Sequence, residues 1–221
     1  MDDAEREREM ARRCYGFGRW DAPYWFIGPE QGKGPKEAED NAQRVQAWLD
    51  LGGTDLCDCR DFHARIGDDT RHKEKPLLQS TWRPLMLLLM AFLERPTDNE
   101  SLRVYQRDQW GRLEDETCVI ELSGLAARSF TTQIDRQQFR PERAKYIRQK
   151  MLTHQPKLVV MYGSSAETDW KEIADCPLHV DRAVQSGSTT IVFTPHPNKR
   201  GRKNEDWIQL GKILRTKSVD S

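Results

Sequence analysis

The sequence predicts an α/β protein, a three-layer α/β/α sandwich on a four-stranded parallel sheet. Four short apolar runs, rich in β-branched and aromatic residues, stand at 24–27, 118–122, 157–163 and 189–194. Runs of that length and composition read as buried strands. Between them lie longer segments with apolar residues at helical spacing. Strand and helix therefore alternate along the chain, which is the pattern of a parallel sheet covered on both faces.

Taken in order, residues 1–15 form a charged leader, helical or frayed. Tyr24-Trp25-Phe26-Ile27 is a strand ending at Gly28, and 28–35 is loop material with two prolines and three glycines. Lys36 to Leu51 carries Ala38, Ala42, Val45, Trp48 and Leu49 at helical spacing. Residues 52–80 read as irregular and polar, Thr81 to Leu93 as a helix, and Tyr105 to Glu116 as a polar connection. Cys118 to Leu122 is the second strand, followed by a loop to about Arg140 and a helix from Pro141 to His154. Proline suits a first helical turn, where its missing N–H has no partner to lose. Lys157 to Gly163 is the third strand and Ala166 to Ile173 a short helix. Thr189 to Thr194 is the last strand and Glu205 to Leu214 the last helix.

A chain of 221 residues fits a single domain, 1–221, with 52–116 as its larger insertion. Lys+Arg and Asp+Glu number 35 each, so net charge steers the protein toward neither nucleic acid nor membrane. Charge distribution must carry that argument. The opening residues lack an apolar signal core, and the apolar run 84–93 is too short to span a bilayer. Five cysteines without framework spacing suit a reducing compartment. The expectation is a soluble, cytoplasmic, monomeric protein without a membrane partner.

Three strand ends carry polar or turn residues that a parallel sheet would bring to one edge, where ligands bind in open α/β sheets. The first runs into Gly28-Pro29-Glu30-Gln31-Gly32, the second carries Glu121, and the last runs into His196 with Lys199, Arg200, Arg202 and Lys203 beyond it. Two carboxylates and an imidazole at one crevice suit acid–base work or stabilisation of a cation. The basic loop suits an anionic substrate. Taken singly, Glu30 reads better as a solvated loop residue and Glu121 as a strand-end charge; their convergence with His196 at one edge is what points to a site.

The order and wording of these strand ends resembles the uracil-DNA glycosylase superfamily, in the manner of a divergent bacterial-type member. The resemblance rests on Gly28-Pro29-Glu30-Gln31-Gly32, Glu121-Leu122-Ser123-Gly124-Leu125, Met161-Tyr162-Gly163 and His196-Pro197-Asn198-Lys199-Arg200, and covers about residues 20 to 215. It implies a hydrolase that flips a base out of DNA and cleaves its N-glycosidic bond, leaving an abasic site. The sugar becomes oxocarbenium-like, as in other glycoside cleavages. By that resemblance Glu30 and His196 are the catalytic candidates, Glu30 at C1′ and His196 at O2 of the departing base. Gly28, Gln31, Gly32, Glu121, Ser123, Tyr162, Phe193 and Asn198 are candidates for binding substrate. Lys199, Arg200, Arg202 and Lys203 would bind DNA, single- or double-stranded, with Arg200 as the wedge. No cofactor is implied.

Two departures bear on substrate. Gly32 stands where the uracil-specific branch has a Tyr closing the pocket against C5, and Glu121 stands where the family has an Asn reading uracil's edge. Open C5 space and a carboxylate acceptor together point to a C5-modified cytosine. Such bases occur in phage DNA, so a role in phage defence fits. A glycosylase fold that binds nucleic acid or nucleotide without catalysis is the alternative, because the first motif lacks the usual Asp or Asn.

Other signals carry less. The glycine-rich loop lacks Walker spacing, and Ser164 lacks the nucleophile elbow of a serine hydrolase. Cys57-Asp58-Cys59 with His63 and His72 contains metal-ligating types but no second Cys pair, and no metal is expected. Cys14, Cys57, Cys59, Cys118 and Cys176 lack iron–sulfur spacing. Arg136, Arg140, Arg143, Lys145, Arg148 and Lys150 read as a solvated helix face with Glu142 as partner, or as a second clamp on DNA.

Overall fold

The computed structural model describes residues 2–29, 37–125 and 134–219. In chain order the elements are α1 (Asp3–Arg13), β1 (Gly16–Phe17), β2 (Tyr24–Gly28), α2 (Glu37–Asp50), β3 (Leu56–Cys57), α3 (Cys59–Arg65), α4 (Trp82–Phe92), α5 (Asn99–Asp108) and β4 (Thr117–Glu121). There follow α6 (Ile134–His154), β5 (Leu158–Tyr162), a 3₁₀ turn, α7 (Glu167–Ala174), β6 (Ala183–Ser186), β7 (Thr189–Thr194) and α8 (Asn204–Val219).

All four expected strands form, and they pair in parallel in the order β4-β2-β5-β7. Among the described residues the sheet nevertheless has seven strands and is mixed, in the order β3-β1-β4-β2-β5-β7-β6. Two of the additional strands, β1 and β3, are only two residues long, and β1 runs antiparallel to β4. Pairs that short leave no periodic trace in a sequence. The third, β6, folds back on β7 through a tight turn in which Ser186 pairs with Thr189. It is only partly buried, so its Ala-Val-Gln-Ser carries no apolar run.

Alternation of side chains across the pleat divides the interior in two. Phe26, Val119, Val160 and Val192 point to one face and pack with Trp48, Leu85, Leu88 and Trp207 from the helices on that side and with Trp110 from the turn after α5. Trp25, Ile120, Val159 and Ile191 point to the other and pack with Ala144, Ile147 and Trp170 from α6 and α7. Helix α4 is buried almost all round, against α8 among others, which explains its long apolar stretch. Gly211 in α8 permits this closeness, because a Cβ there would lie 2.2 Å from the carbonyl oxygen of Leu88.

The leader takes the helical form of its two expected states: Asp2 and Glu5 exchange side-chain-to-backbone bonds in a capping box, and Met10 and Ala11 enter the core. Two other expectations change. The 52–80 segment contains α3, and α5 covers Asn99–Asp108, beginning in a stretch with no expected element and running into the first residues of the expected polar connection from Tyr105. Helix α6 begins at Ile134, so Pro141 sits inside it and not in its first turn. Burial of Ala144, Ile147 and Met151 on the sheet-facing side outweighs the hydrogen bond that Pro141 cannot donate. Among the described residues no helix is long and apolar enough to cross a membrane.

Candidate active site at the carboxyl edge of the sheet

From β2 the chain passes to β4 on one side, then crosses to β5 on the other. Such a reversal opens a crevice at the carboxyl ends of the two flanking strands. Gly28 is the last residue of β2 and pairs with Glu121, the last of β4. On the other side the aromatic ring of Tyr162, the last residue of β5, lies directly over Gly28. A Cβ on Gly28 would stand 2.2 Å from the Tyr162 hydroxyl oxygen and 2.4 Å from the ring carbon that bears it. Any side chain at position 28 would displace that ring. His196, two residues past β7, meets the Tyr162 ring edge-on with centroids 5.7 Å apart. Glu121, Gly28, Tyr162 and His196 thus form a row across the ends of four adjacent strands.

The His196 ring is held in one state. The backbone N–H of Asn198 donates to His196 Nδ1 at 3.2 Å. That nitrogen must therefore be the acceptor, and the ring proton belongs on Nε2. Burial lowers the pKa of His196 below its ordinary value, which favours the neutral ring. Lys199 N–H closes the turn onto the His196 carbonyl at 2.9 Å. The Asn198 side-chain amide donates to the hydroxyls of Thr81 (3.1 Å) and Ser80 (3.3 Å), pinning the turn to the start of α4. The result is a pre-oriented neutral donor.

At the other end of the row Glu121 is buried, 5 % exposed, beside a cavity of about 10 Å³ shared with Tyr15, Arg44 and Ser123. That is about the space of one water. Burial, and after it the charge of Glu121, raise the Tyr162 phenol well above its usual range. The backbone here is fixed by Arg143, whose five N–H donors are all used on carbonyls. Nε donates to Leu122, one terminal nitrogen to Ala11 and Arg12, and the other to Cys14 and Glu121, at 2.7 to 3.0 Å. Its guanidinium also stacks over the Tyr15 ring at 4.0 Å. One buried cation thus ties the end of α1 to the end of β4.

Other expected site residues separate into groups. Glu30, Gln31 and Gly32 lie outside the described residues. Phe193 points to the opposite face of the sheet and packs with Ile191 and Trp170, so it does not join the row. Ser123 spends its hydroxyl on a local turn with Leu125. Lys199, Arg200 and Lys203 are exposed beyond His196. Arg202 is not a free basic residue: it pairs with Asp181 at 3.0 Å and its guanidinium lies 4.0 Å from the Trp207 ring centroid. Three cations of the second basic segment are also engaged within the protein, while Lys145 is exposed and the side chain of Arg136 lies outside the described residues. Arg143 is buried rather than solvated, Arg140 pairs with Asp169, and Arg148 pairs with Asp175. Tyr15 and Arg44 were missed because a lone aromatic and a helix cation carry no sequence signal for a cavity completed by Glu121 and Ser123, far along the chain.

A wider depression of about 660 Å³ lies between α4 and α8, lined by Glu94, Arg95, Ile208, Lys212 and Arg215. Arg95 pairs with Glu116, just before β4, so this depression opens at the amino edge of the sheet. The chemically equipped edge is the carboxyl one. No protein-family model matches the chain, and no curated protein is significantly similar to it.

Proposed function

We propose that this protein is a monofunctional DNA glycosylase on a three-layer sandwich whose four central parallel strands form the catalytic frame. The observation that carries the reading is the neutral, Nε2-protonated His196 beside Tyr162, next to an exposed basic turn. A departing base takes the electron pair of the broken N-glycosidic bond and becomes anionic at O2. A pre-oriented imidazole N–H at that oxygen stabilises the charge as it develops, an effect of roughly 10²–10⁴-fold. A water adds its oxygen to C1′ and gives up a proton, leaving an abasic site and the free base. Glu30 is the residue we assign to that water or to the cationic sugar. Lys199 and Arg200 are free to take phosphates, with Arg200 as the wedge.

The narrower reading is a pyrimidine, specifically a C5-modified cytosine. The reading rests on residue type: a glycine in place of the Tyr of the uracil-specific branch carries no ring to close against C5, and the Glu121 carboxylate is assigned as acceptor for the exocyclic amine. Such bases occur in phage DNA, which fits a defence role. The test is alkali cleavage of end-labelled oligonucleotides carrying uracil, hypoxanthine, thymine, cytosine or a bulky C5-substituted cytosine, in single and double strands. Cleavage at the modified cytosine, lost in Glu30→Gln and His196→Ala, is the expected result. Cleavage at uracil instead keeps the glycosylase and removes the Gly32 and Glu121 argument. Binding of DNA without cleavage of any substrate would overturn the enzyme reading in favour of a nucleic-acid-binding module.

A further inference from the structure

Away from the carboxyl edge, three side chains from the 52–116 segment meet. Cys59 is the first residue of α3 and His63 lies one turn later on the same helical face, the i, i+4 spacing that lets two side chains share a ligand. His72 comes from the irregular stretch that follows. His63 Nδ1 is 3.5 Å from Cys59 Sγ, His72 Nε2 is 4.0 Å from that sulfur, and the two nitrogens are 3.2 Å apart. A tetrahedral zinc with bonds of about 2.3 Å to sulfur and about 2.05 Å to nitrogen sets its ligand atoms about 3.5 Å (S to N) and about 3.3 Å (N to N) apart. The side chains already stand close to those separations without a cation to draw them together.

We propose that Cys59, His63 and His72 bind one zinc ion, with solvent in the fourth position. The donor set of one thiolate and two imidazoles suits zinc and disfavours the oxygen-seeking cations magnesium and calcium. Nearby acceptors are otherwise engaged. Asp58 caps α3 and receives Arg112 Nε at 2.6 Å and the N–H of Leu113, and Cys57 Sγ turns to the Gly16 carbonyl. Without metal, His63 Nδ1–H donates to the Cys59 carbonyl at 2.7 Å and Nε2 faces Arg71. Zinc at Nδ1 would displace that bond and leave the ring proton on Nε2, so the Arg71 guanidinium, itself a donor, would have to turn from Nε2 toward its partner Asp68.

The ion would act as a staple. Residues 66–81 have little regular structure, and they are held by Gln106, which bonds the carbonyls of Arg71 and Leu77 and the N–H of Gln79, and by Gln43 and Arg107, which donate to the carbonyls of Ile66 and Glu74. The stretch ends at Ser80 and Thr81, the residues that hold Asn198 and, through it, His196. Zinc at His72 would fix the near end of the support on which the His196 turn rests. This inference stands whether or not the protein excises bases.

The test is cobalt(II) titration of the metal-free full chain, followed by zinc content after dialysis. Equimolar zinc, thiolate-to-cobalt charge-transfer absorption and tetrahedral d–d bands are expected. Both signals should disappear in Cys59→Ser and His72→Gln and persist in Cys176→Ser, which removes the half-exposed cysteine. His72 is only partly buried, so its variant should fold if Cys59→Ser does not. A folded wild-type protein that takes up neither ion overturns the site, leaving a hydrogen-bonded triad. Metal content unchanged in Cys59→Ser or His72→Gln overturns it equally.

Discussion

A neutral imidazole is a useful donor at a strand end when its surroundings decide which nitrogen carries the proton. At His196 that decision is made by one backbone amide, the N–H of Asn198. Protonating Nδ1 would break this contact, and burial already disfavours the charged ring. The unfolded chain takes up a proton on this residue below about pH 6.5, whereas the native ring resists until lower pH. Between those two pKa values the unfolded state binds more protons, so stability falls as pH is lowered. His196→Gln should flatten that part of the stability curve measured by urea unfolding between pH 7 and 5. A curve of unchanged slope would mean that the histidine is not held neutral. At the neighbouring position, Gly28→Ala drives a methyl group into the Tyr162 ring. It should cost about 1–3 kcal/mol as overpacking. The cost should shrink in a Tyr162→Ala background, and an equal cost in both backgrounds would show that the ring is not the obstacle.

Helices and strands are held in register here by a few polar side chains as well as by apolar burial. Arg143 is the clearest case, since α6 reaches through it to both the end of α1 and the end of β4. Arg143→Met preserves much of the stem's bulk but leaves five carbonyls without their donor. We expect a loss of about 3–5 kcal/mol, seen as a lower urea midpoint. Arg143→Lys should recover little, because an ammonium cannot reproduce a planar fork that satisfies both termini at once. Near wild-type stability in the methionine variant would show that apolar packing alone sets the position of α1. The basic residues of the same helix illustrate the difference between charge and availability. Arg140 and Arg148 pair with Asp169 and Asp175 of the neighbouring helix and its cap, so a run of cations in sequence becomes a helix-to-helix seam.

The whole molecule has no net charge, and its attraction for DNA would have to be local. Lys199 and Arg200 project beyond His196, whereas Arg202 is bound to Asp181 and Trp207. Each phosphate contact contributes about 0.9 to the slope of log affinity against log salt on duplex DNA. Lys199→Ala and Arg200→Ala should each weaken duplex binding and lower that slope by about one contact. Arg202→Ala should leave the slope nearly unchanged and lower the melting temperature instead. Fluorescence anisotropy across a salt series separates the two effects, and an equal change of slope in all three variants would count against the division. The larger depression between α4 and α8 lies at the other edge of the sheet, away from this basic turn.

The sequence by itself determined the four parallel strands and the helices α2, α4, α7 and α8, but not α3 or α5. Each strand is a continuous apolar run, because both of its faces are buried, and the helices show either an apolar stripe or, in α4, an apolar stretch buried almost all round. It also located Gly28, Glu121, Tyr162 and His196 at strand ends. Their meeting follows from topology: parallel strands send their carboxyl ends to one edge wherever the intervening chain goes. Only the tertiary structure decided which face each residue took, and that separated Phe193 from Tyr162. It turned Arg143 and Arg202 inward, where sequence shows only a basic residue among others. It also closed the distance among Cys59, His63 and His72. Spacing along the chain shows the i, i+4 pair on one helix but not the return of His72, because contacts across an irregular segment depend on how that segment is pinned and not on any period in the sequence.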